Sequence, residues 1–169
     1  MARLKSKTSD KDLMNRQELL YNINKFQTQK TLRDKALISM LYLTGARVSE
    51  IVKVLKRKNI SIEHINNVPF MVIYNLPCLK RRKGNEANRN IAVNIEREKE
   101  FIEILIKWIN KVEMDDYIFN IGRKQAYVIV RKFKDELFPH YFRHLRCSHL
   151  TTQYGFSSAD LRQYTGWTD

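Results

Sequence analysis

A histidine stands three residues before an arginine at His140-Tyr141-Phe142-Arg143, directly after Pro139. Proline is favoured in the first turn of a helix, and residues three apart share a helix face. The imidazole and the guanidinium therefore face the same way. Such a pair suits a phosphate: the guanidinium grips two oxygens while the imidazole handles a proton near neutral pH. A second arginine with the same aptitude is Arg47, in Thr44-Gly45-Ala46-Arg47-Val48-Ser49-Glu50. Gly45 ends one helix there and the next begins at once, which puts Arg47 near a helix N-terminus that favours an anion. The basic turn Lys80-Arg81-Arg82-Lys83-Gly84-Asn85 could lay a lysine in a DNA groove or against a leaving group. The indole N–H of Trp167, in Gly166-Trp167-Thr168, can donate to a phosphate oxygen.

Each feature alone has a plainer explanation. A lone arginine is usually a surface residue, a charge run a solvated turn, a lone histidine structural, and a helix-end tryptophan part of the core. Zinc is a competing use of His140, His144, Cys147 and His149, since His140 and His144 are four apart on one helix. Against it, no Asp or Glu lies between Pro139 and Thr152, and Arg143 and Arg146 crowd the place with positive charge. Phosphate is the stronger reading, and no metal or other cofactor is expected.

The chain as a whole favours a polyanionic partner. Its 31 Lys+Arg against 18 Asp+Glu give a net charge of +13 in 169 residues, which points first to nucleic acid. At 43% hydrophobic residues it can bury a core. Cys78 and Cys147 form no CxxC pattern and read as reduced thiols of a cytoplasmic protein. The N-terminus lacks the apolar run of a signal peptide, and no stretch reaches membrane-spanning length, so no membrane partner is expected.

The elements that must position these residues follow from periodicity. Residues 1–10 are polar and basic. Ser9 or Asp10 could cap a helix through Leu13, Leu19, Leu20, Ile23 and Phe26. A second helix spans 31–43, with Thr31 and Asp34 resembling a capping box, and a third runs from Val48 to Leu55. The period then changes. Ser61–Ile65 and Val68–Asn75 are strand-like and flank the turn Asn66-Asn67, and Arg89–Val93 returns as a third strand after the basic turn. Helices resume at Arg97–Asn110, Lys124–Phe133, Pro139 to Tyr154 and Ser158 to Tyr164. The predicted class is α+β, mainly helical, with a small three-stranded antiparallel sheet.

Taken in order, these residues resemble the tyrosine recombinase (phage integrase) family. Its T-G-x-R-x-S-E segment is Thr44 to Glu50, its hairpin lysine Lys83 or Lys80, its H-x-x-R box His140 to Arg143, and its G-W pair Gly166-Trp167. The resemblance divides the chain into a tail and lead helix, 1–30, and a catalytic domain, 31–169. It implies cleavage of duplex DNA by a tyrosine hydroxyl, giving a 3′-phosphotyrosyl link and a free 5′-hydroxyl, with no metal or nucleotide consumed. Arg47 and Arg143 would clamp the phosphate and Trp167 would add a hydrogen bond. The lysine would protonate the leaving oxygen, His140 would manage a proton, and Glu50 and Gly45 would support the site. Arg81, Arg82 and Arg146 would contact DNA.

The family's nucleophile follows the tryptophan by one further helix, and the chain stops at Asp169. The expectation is a recombinase catalytic domain without its tyrosine, inactive alone, acting beside further copies or a complete recombinase on DNA. The alternative is a non-catalytic DNA-binding or regulatory remnant of an integrase. A cytoplasmic setting, that of a host cell if the source is viral, fits either. The lysine- and isoleucine-rich, glycine-poor composition suits a heat-adapted archaeal or viral source, for which the resemblance implies a role in viral genome integration.

Overall fold

A computed structural model describes residues 13–79 and 87–166. Its centre is a helix buried on every side over its last nine residues. Helix α1 (Arg16–Lys25) leads into α2 (Thr31–Thr44), in which every residue from Ala36 to Thr44 is buried. A helix largely apolar on all sides must be covered on all sides. α2 packs against α4 (Lys99–Ile109) and α6 (Pro139–Tyr154), and Leu19 and Ile23 of α1 join the same core. The remaining helices are α3 (Val48–Ile51), α5 (Arg123–Phe133) and α7 (Ser158–Thr165).

Between α3 and α4 lies a three-stranded antiparallel sheet in the order β1 (Ile60–Ile65), β2 (Val68–Pro77) and β3 (Asn88–Asn94). Asn66 and Asn67 both adopt positive φ, 52° and 64°, as a two-residue hairpin turn requires at both central positions. β2 is bulged between Ile73 and Leu76. Among the described residues no helix is long and apolar enough to cross a membrane.

The architecture is the α+β arrangement expected, with local differences. The cap of α1 is Asn15, whose side chain accepts from the Glu18 N–H at 2.8 Å; Ser9 and Asp10 lie outside the described residues. Thr31 and Asp34 do not form a capping box. Both turn back to Thr28, with the Thr31 hydroxyl accepting from its N–H and the Asp34 carboxylate from its hydroxyl. α3 stops at Ile51 rather than Leu55. Lys53 takes φ of 53° and donates its N–H to Phe119 O at 3.0 Å, so a long-range bond replaces the next helical turn.

Candidate active site

The α2–α3 turn is fixed from below. Gly45 closes α2 with φ of 59°, a left-handed conformation that favours glycine, and the chain turns at once to Arg47. Glu50, fully buried, then secures the turn. Its Oε1 accepts the Arg47 N–H at 2.8 Å, and its Oε2 lies 3.7 Å from the Arg47 guanidinium. The sequence reading gave the helix N-terminus a large part in holding an anion here. A helix of four residues has little dipole to offer, so its N-terminus adds little to what the Arg47 guanidinium could itself offer an anion.

Arg143 approaches the same turn from α6. It is 4% exposed, and its Nη1 donates to Gly45 O at 2.8 Å and to Thr165 O at 3.4 Å. One guanidinium thus ties the Arg47 turn to the end of α7. Burial, with the neighbouring Arg47 charge as the second cause, lowers the Arg143 pKa to about 10. The positive charge of Arg47 near the buried Arg143 guanidinium makes this a place that favours an anion. His140 lies one turn before Arg143 at the start of α6 and is exposed.

The second end of the site is organised by Arg89, which the sequence reading did not single out. Its Nε donates to Tyr164 O at 2.9 Å, Nη1 to Pro77 O at 2.8 Å, and Nη2 to Glu50 Oε1 at 3.2 Å. Glu50 Oε2 also accepts the Leu79 N–H at 3.0 Å. Strand periodicity carried the signal: Arg89, Ile91 and Val93 alternate along one buried face of β3. Lys80, Arg81, Arg82, Lys83 and Trp167 lie outside the described residues. The flanking stems, Pro77 to Leu79 and Asn88 to Arg89, and Gly166 at the end of α7, converge on the Glu50–Arg89 pair.

Arg146, expected to contact DNA, is an interior residue. It is 2% exposed, 3.2 Å from Glu98 Oε1, and lies against the rings of Tyr42, Tyr154 and Tyr164. Its position one turn beyond Phe142, in the buried stripe with Leu145 and His149, marked that face as internal. Burial pushes the Glu98 carboxyl upward, but Arg146 and bonds from Arg16 and Tyr154 outweigh it, so its pKa is lowered. The zinc alternative also fails on geometry. His149 turns inward, with Nδ1 2.7 Å from Tyr42 Oη and Nε2 3.1 Å from Met14 O, whereas His140 and His144 are exposed. Among the described residues no three His, Cys, Asp or Glu side chains gather as a metal site would require. Tyr164 donates its hydroxyl to Leu43 O and Tyr154 donates to Glu98, so both phenols are held by the fold.

The domain is mainly helical with a three-stranded sheet, and it brings Arg143 to the Arg47 turn beside the stems of the β2–β3 connection. The phage integrase family model matches residues 13–169, and the chain belongs to that family. No curated protein matches it. Among solved structures it is similar to the XerH site-specific recombinase bound to difH substrate in a pre-cleavage complex. That match has a TM-score of 0.65 at 18% identity, over 93% of this chain and 47% of that one. It is also similar to the Tn1549 transposon integrase in complex with circular intermediate DNA, with a TM-score of 0.63 at 17% identity, over 98% of this chain and 60% of that one. The chain thus spans about half the length of the XerH chain it matches.

Proposed function

We propose that this chain is the phosphate-activating domain of a DNA site-specific recombinase. The observation that carries the reading is the convergence of Arg143 and the Arg47 turn, with burial depressing the Arg143 pKa beside a second cation. Without a metal, the charge developing on a phosphodiester's non-bridging oxygens must be met by fixed donors. Arg47 and Arg143 supply two, and Trp167 adds a third. His140 accepts a proton from the attacking hydroxyl or steadies the phosphate. Lys83 or Lys80 protonates the departing 5′-oxygen, and Arg81 and Arg82 hold the backbone of duplex DNA. Attack forms the bond from tyrosine oxygen to phosphorus and breaks the bond from phosphorus to the 5′-oxygen. The tyrosine comes from outside these residues, from the same protein or from a second recombinase on the same DNA, in the cytoplasm. The XerH and Tn1549 neighbours, both solved as DNA complexes, support a duplex as the substrate.

The activating half can be tested without a tyrosine by supplying a small oxygen nucleophile. Duplexes recovered by binding from a random-sequence pool are treated with the protein and hydroperoxide, with a chelator present. The expected products are a 5′-hydroxyl end and a 3′-peroxyphosphate end, which water converts to 3′-phosphate with release of peroxide, and Arg47→Ala or Arg143→Ala slows their formation by about 10²-fold or more. Absence of such ends, or scission indifferent to both substitutions, would overturn the reading.

A further inference from the structure

Among the described residues, the Arg89 side chain bonds to three of the segments from which the proposed site is built. It is 8% exposed, and its donors reach α7 at Tyr164 O, the outgoing hairpin stem at Pro77 O and Cys78 Sγ, and α3 at Glu50. Its own backbone is the returning stem. Glu50 extends the link by holding the Arg47 N–H and the Leu79 N–H. Gly166 lies directly on this cluster: a Cβ added there would stand 2.8 Å from Arg89 Nη1 and 2.6 Å from Cys78 Sγ. A buried ion pair seldom adds much net stability over apolar residues of the same size. What a planar fork with four placed partners supplies is a fixed register between segments, which a lysine cannot reproduce.

We propose that Arg89 is a positioning residue for strand cleavage. It sets the two hairpin stems in register with the Arg47 turn. It does not touch the phosphate. The inference rests on the phosphate-activating reading above. Misplacing a reacting group by about 1 Å can cost about 10²-fold in rate, so losing this register should slow cleavage far beyond any loss of fold. The hairpin is the segment most dependent on Arg89, being held at both stems. The step that should suffer is therefore protonation of the leaving 5′-oxygen.

The hydroperoxide assay separates the possibilities when run on two linkages, an ordinary phosphodiester and one with sulfur in place of the bridging 5′-oxygen. In both, hydroperoxide bonds to phosphorus as the bond to the 5′-atom breaks. The oxygen must take up a proton as it leaves, whereas the sulfur departs as a thiolate. Arg89→Gln and Arg89→Lys are compared at equal folded fraction and equal DNA occupancy. We expect each to slow the oxygen linkage by about 10²-fold and to leave the sulfur linkage within about 3-fold of the parent. Arg143→Ala should slow both linkages. Equal losses on the two linkages for both Arg89 variants, or no loss on either, would overturn the proposal while leaving the Arg143 result intact. If Arg143→Ala changes neither linkage, the phosphate-activating reading itself falls, and this inference with it.

Discussion

Gly166 and Gly155 provide an internal comparison, because both end helices with nearly the same backbone. Their φ angles are +69° and +68°, left-handed values that side chains other than glycine adopt at a cost of about 1–2 kcal/mol. Their surroundings differ. A Cβ on Gly155 meets nothing within 4 Å, whereas on Gly166 it meets Cys78 Sγ at 2.6 Å and Arg89 Nη1 at 2.8 Å. Gly155→Ala should therefore cost only the conformational share. Gly166→Ala adds overpacking against two buried groups, about 1–3 kcal/mol more. At about 3 °C per kcal/mol for a domain of this size, Gly166→Ala should melt about 3–9 °C below Gly155→Ala. Urea unfolding should give the same order in midpoints at unchanged slope. Adding Cys78→Ala to Gly166→Ala should recover part of the difference, since it removes the nearer atom. If Gly166→Ala is no worse than Gly155→Ala, Gly166 is not seated on the Arg89 cluster and the described convergence of α7 with the hairpin stems is wrong.

Other outcomes follow from the same geometry. Glu50→Gln leaves Arg89 and Arg47 without their buried counter-charge; it should cost about 3 kcal/mol in urea unfolding and slow hydroperoxide scission. Arg146→Ala should cost about 3–5 kcal/mol by leaving the Glu98 carboxylate short of a partner, yet should leave the salt dependence of DNA binding unchanged; a shallower slope would place Arg146 on the DNA after all. Burial lowers the His149 pKa from the ordinary 6.5, so the unfolded chain takes up the proton first. Stability from this group is thus complete above pH 6.5 and is lost as pH falls below it. Melting at pH 7.5 and 5.5 should show the drop, and His149→Gln should shrink it; an unchanged drop would remove His149 as its source.

The sequence made legible whatever rests on local rules. Asn66-Asn67 between two strand-like runs marks its hairpin, Gly45 marks the end of α2, and Pro139 opens the helix that carries Arg143. Long-range bonds overruled local patterns elsewhere. The Phe119 carbonyl pulls Lys53 out of a helix that composition would continue, and Thr28 takes the two side chains that looked like a cap. Charged residues were the hardest. Arg89 and Arg146 have the chemistry of a DNA-facing surface, and only their phase against neighbouring apolar residues marked them as internal. Arg47 and Arg143 were identifiable by motif, but the sequence held no sign that one guanidinium reaches both Gly45 O and Thr165 O.

The central claim is that Arg47 and Arg143 serve one phosphate, and distances in a complex with duplex DNA test it most directly. The account predicts a single backbone phosphate with non-bridging oxygens within about 3.2 Å of both guanidiniums. Two separate phosphates under the two arginines, or a duplex bound on another face, would contradict it.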